Sequence, residues 1–478
     1  MKRPRVVVLG CGMAGMLAAA AVAECADTVT ILERDHLPGR PAVRKGVPQG
    51  RHLHALLSTG ALAIDILLPG VLTSLLGHGA HRLGLAEDTL IYGPYGWMDP
   101  HPSGHFILGA SRPLVEGTVR TYLVRHHPVR IVGGAEAVGL LGDHERVRGV
   151  RVRHRGTGHG EQMTADLLID ATGRTSQTPR WLTDIGVGPV PTIEVDSGLA
   201  YASRIVRVPT SAPAYPCVTV QADPRDTVPG RGGFWLRIED DQTMVTLSGT
   251  RGAHPPLDDE GFARFAHALR HPLIGDLLAE ALPLTPVRGF RDTANRRHHY
   301  DRLPSPPAGL LVIGDASSTF NPLYGQGMTV AALSALTLRT ALRKAWPDRH
   351  LDNAGCHRIQ QAIARTADLP WAVCTTEDIR YPQAQGPPPS PGTRLTQRCA
   401  DRLRAVAAHH PAASQAFFDV FSLSVPPTAA AGPAAIWATL RGPRKPPTRR
   451  PPSIGAVHHP ASPGTHPAHE VPPDARGR

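Results

Sequence analysis

The sequence predicts an α/β protein: a Rossmann-like parallel-sheet domain, an antiparallel-sheet domain inserted into it, and C-terminal helices. Three observations predict it. An apolar strand, a glycine turn and a helix open the chain, and a second strand follows. From about 189 to 300 the pattern changes to short segments alternating at period two. At 309–313 the chain returns to a buried strand, followed by a glycine-rich turn and a long helix.

Residues 5–9 (RVVVL) form a continuous β-branched run, as a strand buried on both faces requires. Gly10-Cys11-Gly12-Met13-Ala14-Gly15 reads as a tight turn, 16–23 as a helix, and 28–33 (TVTILE) as the next strand. Segment 111–127 reads as a helix with Ser111 as N-cap and an apolar stripe of Leu114, Val115, Val119, Tyr122 and Leu123. Residues 129–155 suggest two strands around the turn GDHER, and LLID at 167–170 a further buried strand. LAYASRIVRV, CVTVQ, GFWLRIE and TMVTLSGT are the short segments of the middle region, with a helix at 259–271. A long helix is expected over 326–344, and helical patterns recur at 353–380 and 396–422. The domain reading is 1–188 and 301–345 for the nucleotide domain, 189–300 for the antiparallel sheet and 346–440 for the helical region. Residues 441–478 hold ten prolines and are expected to be a disordered tail.

Composition narrows the classes. Of 478 residues, 41% are hydrophobic, which excludes wholesale disorder. No window reaches the roughly 18 apolar residues of a spanning helix, and MKRPRVVVLG lacks the long apolar core of a secretory signal. A cytoplasmic protein without a membrane partner is expected. Six scattered cysteines form no C-x-x-C. The formal charge is +11, but a net +5 sits in residues 441–478, so no nucleic-acid face is indicated. Pairs such as His52-x-His54 arise by chance among 25 histidines, so no metal site is expected.

The chemistry lies in two segments. Gly10-x-Gly12-x-x-Gly15 follows a strand and opens a helix, with Glu33 at the end of the next strand. Glycines permit close backbone approach to a pyrophosphate, the helix start offers free N–H groups, and Glu33 can accept from ribose hydroxyls. In LLVIGDASSTFNPLYGQGMT (310–329), Asp315 suits a sugar or ribityl hydroxyl. Gly325 and Gly327 let backbone amides face a negatively charged ring. LLIDATGRTS (167–176) and Arg112 are weaker candidates for the same ligand.

These residues converge on a family. The chain resembles FAD-dependent monooxygenases of the p-hydroxybenzoate hydroxylase fold, which pair an N-terminal G-x-G-x-x-G with a C-terminal Gly-Asp motif. Within it, RKGVPQGRHLHALLSTG (44–60), VDSGLAYASRIVR (195–207), NRRHHYDRL (295–303) and FNPLYGQGM (320–328) are similar to flavin epoxidases of polyether ionophore biosynthesis, of the lasalocid and monensin type. The resemblance covers about 1–440. It implies that Gly10, Gly12, Gly15 and Glu33 hold the ADP half of FAD, Arg112 its phosphate or ribityl region, and Asp315 the ribityl chain. Pro322 through Met328, with Gly325 and Gly327, would line the isoalloxazine. Arg44, Lys45, Gln49 and His52 would lie on the loop beside it.

The resemblance further implies delivery of one oxygen from a flavin C4a-hydroperoxide to alkenes of a linear polyene polyketide, free or carrier-bound. O2 and NAD(P)H would be consumed, the latter directly or through a flavin reductase. No protein nucleophile or acid–base pair is required; Pro322, Gly325 and Gly327 are the flavin-proximal candidates. Trp97, Tyr201, Phe234 and Trp235 are candidate substrate-lining residues. A hydroxylase of aromatic polyketides or phenols and an isoprenoid-type alkene reductase remain as alternatives. Halogenation fits less well, because GFWLRIE (233–239) lacks the W-x-W-x-I-P segment.

Overall fold

The computed structural model describes residues 4–211, 215–345, 351–430, 432–443 and 445–453. In chain order, the elements that build the site are β1 (Arg5–Leu9), α1 (Met13–Ala23), β2 (Thr28–Glu33), β3 (Thr89–Gly93), β4 (Gly96–Trp97), α2 (Arg112–His126), β5 (Val129–Gly133) and β6 (Leu167–Asp170). They continue with β7 (Ala200–Arg207), β8 (Cys217–Val220), β9 (Arg231–Ile238), β10 (Gln242–Gly249), α3 (Asp259–His267), α4 (Leu273–Glu280) and β11 (Leu310–Val312). Four helices complete the set: α5 (Gly327–Ala345), α6 (Asp368–Asp378), α7 (Pro391–Ala407) and α8 (Pro411–Phe421).

A five-stranded parallel sheet runs β11-β6-β1-β2-β5. Both of its faces are covered, which is why its strands read as unbroken apolar runs. Val6, Val8, Val29, Ile31, Leu167 and Ile169 pack against α1, α2 and α5. Val7, Leu9, Leu32 and Leu168 face the opposite way, onto a three-stranded meander spanning 135–164. The stretch expected as two strands therefore holds three. Val129–Gly133 joins the parallel sheet beside β2, while 135–142 and 147–154 pair in the meander.

The second sheet runs β7-β10-β9-β8-β3-β4. Two of its strands come from residues 89–97, upstream of the expected insertion, and β3 pairs with β8 in parallel. Its faces differ. Val218, Trp235, Val245 and Leu247 point to α3 and α4, where Phe262, Phe265 and Ile274 close the core. Residues one step along each strand point the other way, since successive side chains alternate.

Ser111 caps α2 as the sequence indicates, its side chain accepting from the Leu114 N–H. The segment 445–449 lies against β4, with the Trp97 N–H donating to the Thr448 carbonyl at 3.0 Å and Trp97 Nε1 to that of Arg449 at 3.2 Å. A disordered tail was expected from 441; the described parts of it, 441–443 and 445–453, include this packed segment. Residues 454–478 lie outside the described residues.

Phe262 is fully buried under the second sheet. Phe262→Ala should cost about 3–5 kcal/mol, read as a lower midpoint in urea unfolding.

Candidate functional site

Two spaces meet beyond the carboxyl ends of the parallel strands, where open α/β sheets place their ligands. The first is a cleft of about 440 Å³. The expected cofactor residues Gly10, Gly12, Glu33, Arg44, Lys45, Gln49, Arg112, Asp315, Pro322, Gly325, Gly327 and Met328 all line it.

The glycine turn has a separate reason at each position. Gly10 has φ +91°, and a Cβ there would lie 2.7 Å from the Ala171 carbonyl oxygen. A Cβ at Gly12 would meet nothing within 4 Å; this position opens into the cleft. Gly15 does not line the cleft. A Cβ there would collide with the Gly10 carbonyl oxygen, so Gly15 lets α1 start close behind the turn. No acidic residue occupies the first turn of α1, leaving its N–H groups and positive dipole end free for an anion.

A buried ionic network closes the floor. Glu33 accepts from the Cys11 N–H at 2.8 Å and the Asp35 N–H at 3.0 Å. Arg44 Nη1 lies 3.2 Å from Glu33 Oε2, and Arg44 Nη2 donates to Glu116 Oε2 at 2.9 Å and to the Cys11 carbonyl at 3.1 Å. Arg112 Nε holds the other Glu116 oxygen at 2.8 Å. Burial pushes the Glu116 carboxyl up, but Arg112 and Arg44 outweigh it and hold it below the ordinary carboxylate value. Arg44 Nε and Nη1 keep no hydrogen-bond partner despite full burial. Glu116 was not anticipated, although its position four residues after Arg112 on one helix face was a usable signal.

The far wall is the turn from 314 to 327. Burial raises the Asp315 carboxyl above its ordinary value, partly offset by Arg174 and Arg112. The Asn321 side chain accepts from the Leu323 N–H, and Gly325 takes φ +65° to turn the chain into α5. The turn is held from outside by Asp378 of α6. Its Oδ2 accepts from Asn295 Nδ2 at 2.7 Å and Asn321 Nδ2 at 2.8 Å, and its Oδ1 from the Tyr324 hydroxyl at 2.9 Å. Nothing local in the sequence marks Asp378.

His52 does not reach the cleft. It is buried behind Tyr201, its Nδ1 2.9 Å from Ser203 Oγ, which in turn meets Thr246 Oγ1 at 2.7 Å. His54 does line the cleft, its Nδ1 donating to the His52 carbonyl at 2.9 Å, which leaves Nε2 as an acceptor. Burial pushes His52 down to about 4 and His54 to about 3, with neighbouring Arg51 and Arg112 adding to the respective shifts.

The second space is a cavity of about 230 Å³ over the open face of the second sheet. It shares Leu53, Ala55, Tyr201, Pro322 and Gly325 with the cleft, so the two spaces meet at the 322–325 turn. Phe234 and Tyr201 form part of its floor, as the sequence suggests. Trp235 borders it, yet the side chain is 1% exposed and belongs to the core under α3 and α4. Trp97 reaches neither space; it is fully buried in the same core, which corrects its expected substrate role. The roof comes from the C-terminal helices, through Val373, Glu377, Arg404, Phe417, Phe418 and Phe421. Glu377 and Arg404, the charged side chains of the cavity, are paired bidentately at 2.9 and 3.0 Å.

The residues present fit a flavin dinucleotide. The cleft combines an open glycine position, an Arg44 Nε without a hydrogen-bond partner, a helix start and Asp315. Among the described residues, no group of three or more His, Cys, Asp or Glu is placed to hold a metal ion. No single described helix is long and apolar enough to cross a membrane.

Residues 5–176 match the family described as FAD dependent oxidoreductase. Protein Rv3254 of Mycobacterium tuberculosis is 32% identical over 428 residues, covering 87% of this chain and 89% of that protein. Kynurenine 3-monooxygenase of Salinispora arenicola is 27% identical over 376 residues, covering 73% of this chain and 74% of that enzyme. Among solved structures, the flavin-dependent brominase Bmp2 superposes with a TM-score of 0.64 at 13% identity, covering 87% of this chain and 92% of that chain. At that identity the likeness is one of fold.

Asp315→Ala should raise the dissociation constant for FAD by about tenfold or more, measured by recovery of flavin fluorescence on release. The pH response follows from the two histidines. In the folded protein they bind fewer protons than the ordinary value of 6.5 allows, so their contribution is complete above pH 6.5 and is lost as pH falls toward 4 and then 3. Burial pushes Asp378 up to about 6 and raises Asp315 too, which acts in the opposite sense, while burial lowers His81, His127, His271, His298 and His299 in the same sense as His52 and His54. The melting temperature should therefore fall between pH 6.5 and 4, and His52→Gln should flatten that fall.

Proposed function

The chain belongs to the FAD-dependent oxidoreductases, in one family with Rv3254, and from that premise we propose that it is a monooxygenase placing one oxygen of O2 on an alkene of a neutral, elongated, apolar substrate. The finer reading is an epoxidase of a linear polyene polyketide on the way to a polyether, free or carrier-bound. NAD(P)H would be the reductant, directly or through a separate reductase.

One observation carries this reading: the apolar cavity joined to the cofactor cleft at the 322–325 turn. Its charged residues, Glu377 and Arg404, satisfy each other. An amino-acid substrate brings a carboxylate and an ammonium group, and the cavity offers neither a free partner. A long neutral hydrocarbon chain meets Leu57, Ile91, Ile107, Leu236 and Phe418 without such a penalty.

Bound reduced flavin supplies the oxygen-activating chemistry. The protein's part is to bind, orient and exclude water. Arg44, Arg112 and the start of α1 take the phosphates, and Asp315 takes a ribityl hydroxyl. The N-terminal amides of α5, beginning at Gly327, place a positive dipole end at the cleft, favouring negative charge on a ring bound there. Tyr201 and Pro322, shared by both spaces, set how closely a substrate approaches that ring.

The kynurenine 3-monooxygenase relative favours a second reading, hydroxylation of a neutral aromatic ring in the same cavity. Turnover under isotopically labelled dioxygen, with FAD, NAD(P)H, a flavin reductase and a linear trisubstituted polyene, separates the readings. The expected product gains one labelled oxygen with no loss of hydrogen. Turnover of phenolic polyketides alone would favour the hydroxylase, and a gain of two hydrogens would make the protein an alkene reductase.

A further inference from the structure

The open face of the second sheet carries a polar position that the cofactor chemistry does not use. In register across the sheet lie Ile91, Thr219, Phe234, Thr246 and Ser203. All but Ser203 line the cavity. On one side of Phe234 the hydroxyls are satisfied, because Thr246 bonds Ser203 and Ser203 bonds His52. On the other side Thr219 is 7% exposed, and its Oγ1 has no hydrogen-bond partner. Strand alternation fixes its direction. Val218 and Val220 belong to the core under α3 and α4, so Thr219 faces the cavity.

A buried hydroxyl without a partner is costly, and a valine would fill the same β-branched volume without that cost. Two residues on, Gln221 lines the same cavity; its backbone N–H donates to the Tyr92 carbonyl at 2.8 Å, and its side-chain amide has no hydrogen bond among the described residues. Two other floor hydroxyls are occupied: Thr89 donates to the Gly84 carbonyl, and Thr250 accepts from the Gly230 N–H.

We propose that Thr219 is a specificity-determining residue, its hydroxyl donating to a neutral oxygen (a ketone, ether or alcohol) carried by the otherwise apolar substrate. Gln221 extends the same site along the strand. The inference rests on the reading of the cavity as the substrate site. It assigns a place in the cavity to one oxygen of the polyene substrate, and predicts weaker binding of the oxygen-free analogue because the hydroxyl would then stay unpaired.

The test uses the oxidised holoenzyme without reductant, and reads the change in flavin absorbance as ligand is added. The probes are geranylacetone, a linear polyene ketone, and the hydrocarbon of the same skeleton lacking the carbonyl. Wild type should bind the ketone about five- to tenfold more tightly. Thr219→Val should bind both alike, at the hydrocarbon's wild-type affinity, while Thr219→Ser restores the preference. FAD content, unchanged in both variants, reports that they fold. Equal binding of the two probes by wild type, as when a water already satisfies the hydroxyl, would overturn the inference. So would a ketone preference that survives in Thr219→Val. Failure of FAD-loaded wild type to bind either probe would instead remove the substrate-cavity reading itself, and the inference with it.

Discussion

The Arg44 guanidinium is the point on which the cofactor cleft depends. It lies between Glu33 and Glu116, with side chains 3–7% exposed, and also holds the Cys11 carbonyl inside the glycine turn. One side chain thus ties the end of β2, the turn after β1, its own loop and α2. Desolvating such charges is expensive, and the arrangement holds only because each charge is paired and hydrogen-bonded. Removing one partner would leave a buried charge exposed to no water, a loss of about 3–5 kcal/mol in comparable networks. The network is also balanced: Glu33 and Glu116 oppose Arg44 and Arg112. Added diphosphate charge therefore falls to the helix start and to Arg44 Nε, which has no hydrogen-bond partner.

The second sheet divides two jobs between its faces. Period-two alternation sends Val218, Trp235, Val245 and Leu247 into the core with α3 and α4. It sends Thr219, Phe234, Thr246 and Ser248 to the cavity. A one-residue slip would exchange the two sets, so the core that stabilises the sheet also fixes the chemistry of the cavity floor. The roof is independent of this alternation. Residues of α6, α7 and α8 close over the floor, and Asp378 of α6 fixes the turn where cleft and cavity meet.

Much of this was legible in the sequence where the physics is local. The glycine turn, the capped α2, the strand leading to the Gly314-Asp315 turn and the long α5 each follow from residues within one or two turns of one another. The expected cofactor residues other than Gly15 gather in one cleft because the parallel sheet brings all its strand ends to one edge. The aromatic candidates were less legible. Tyr201, Phe234 and Trp235 read as strand residues and Trp97 lay in no expected strand; only strand pairing decides which face each takes. Strand 89–93 was missed because its parallel partner, 217–220, lies more than a hundred residues away, and 96–97 because it is only two residues long and pairs back on 92–93.

The sequence by itself determined the parallel nucleotide-binding fold, because glycine conformations, helix caps and the two hydrophobic periods act between neighbouring residues. Tertiary structure alone decided that Glu116 meets Arg44, that Asp378 braces Asn321 and Tyr324, and that the C-terminal helices roof an apolar cavity. Those contacts join residues 54 to well over a hundred positions apart. Burial makes them strong, and burial is a property of the folded chain, with no short-range pattern to announce it.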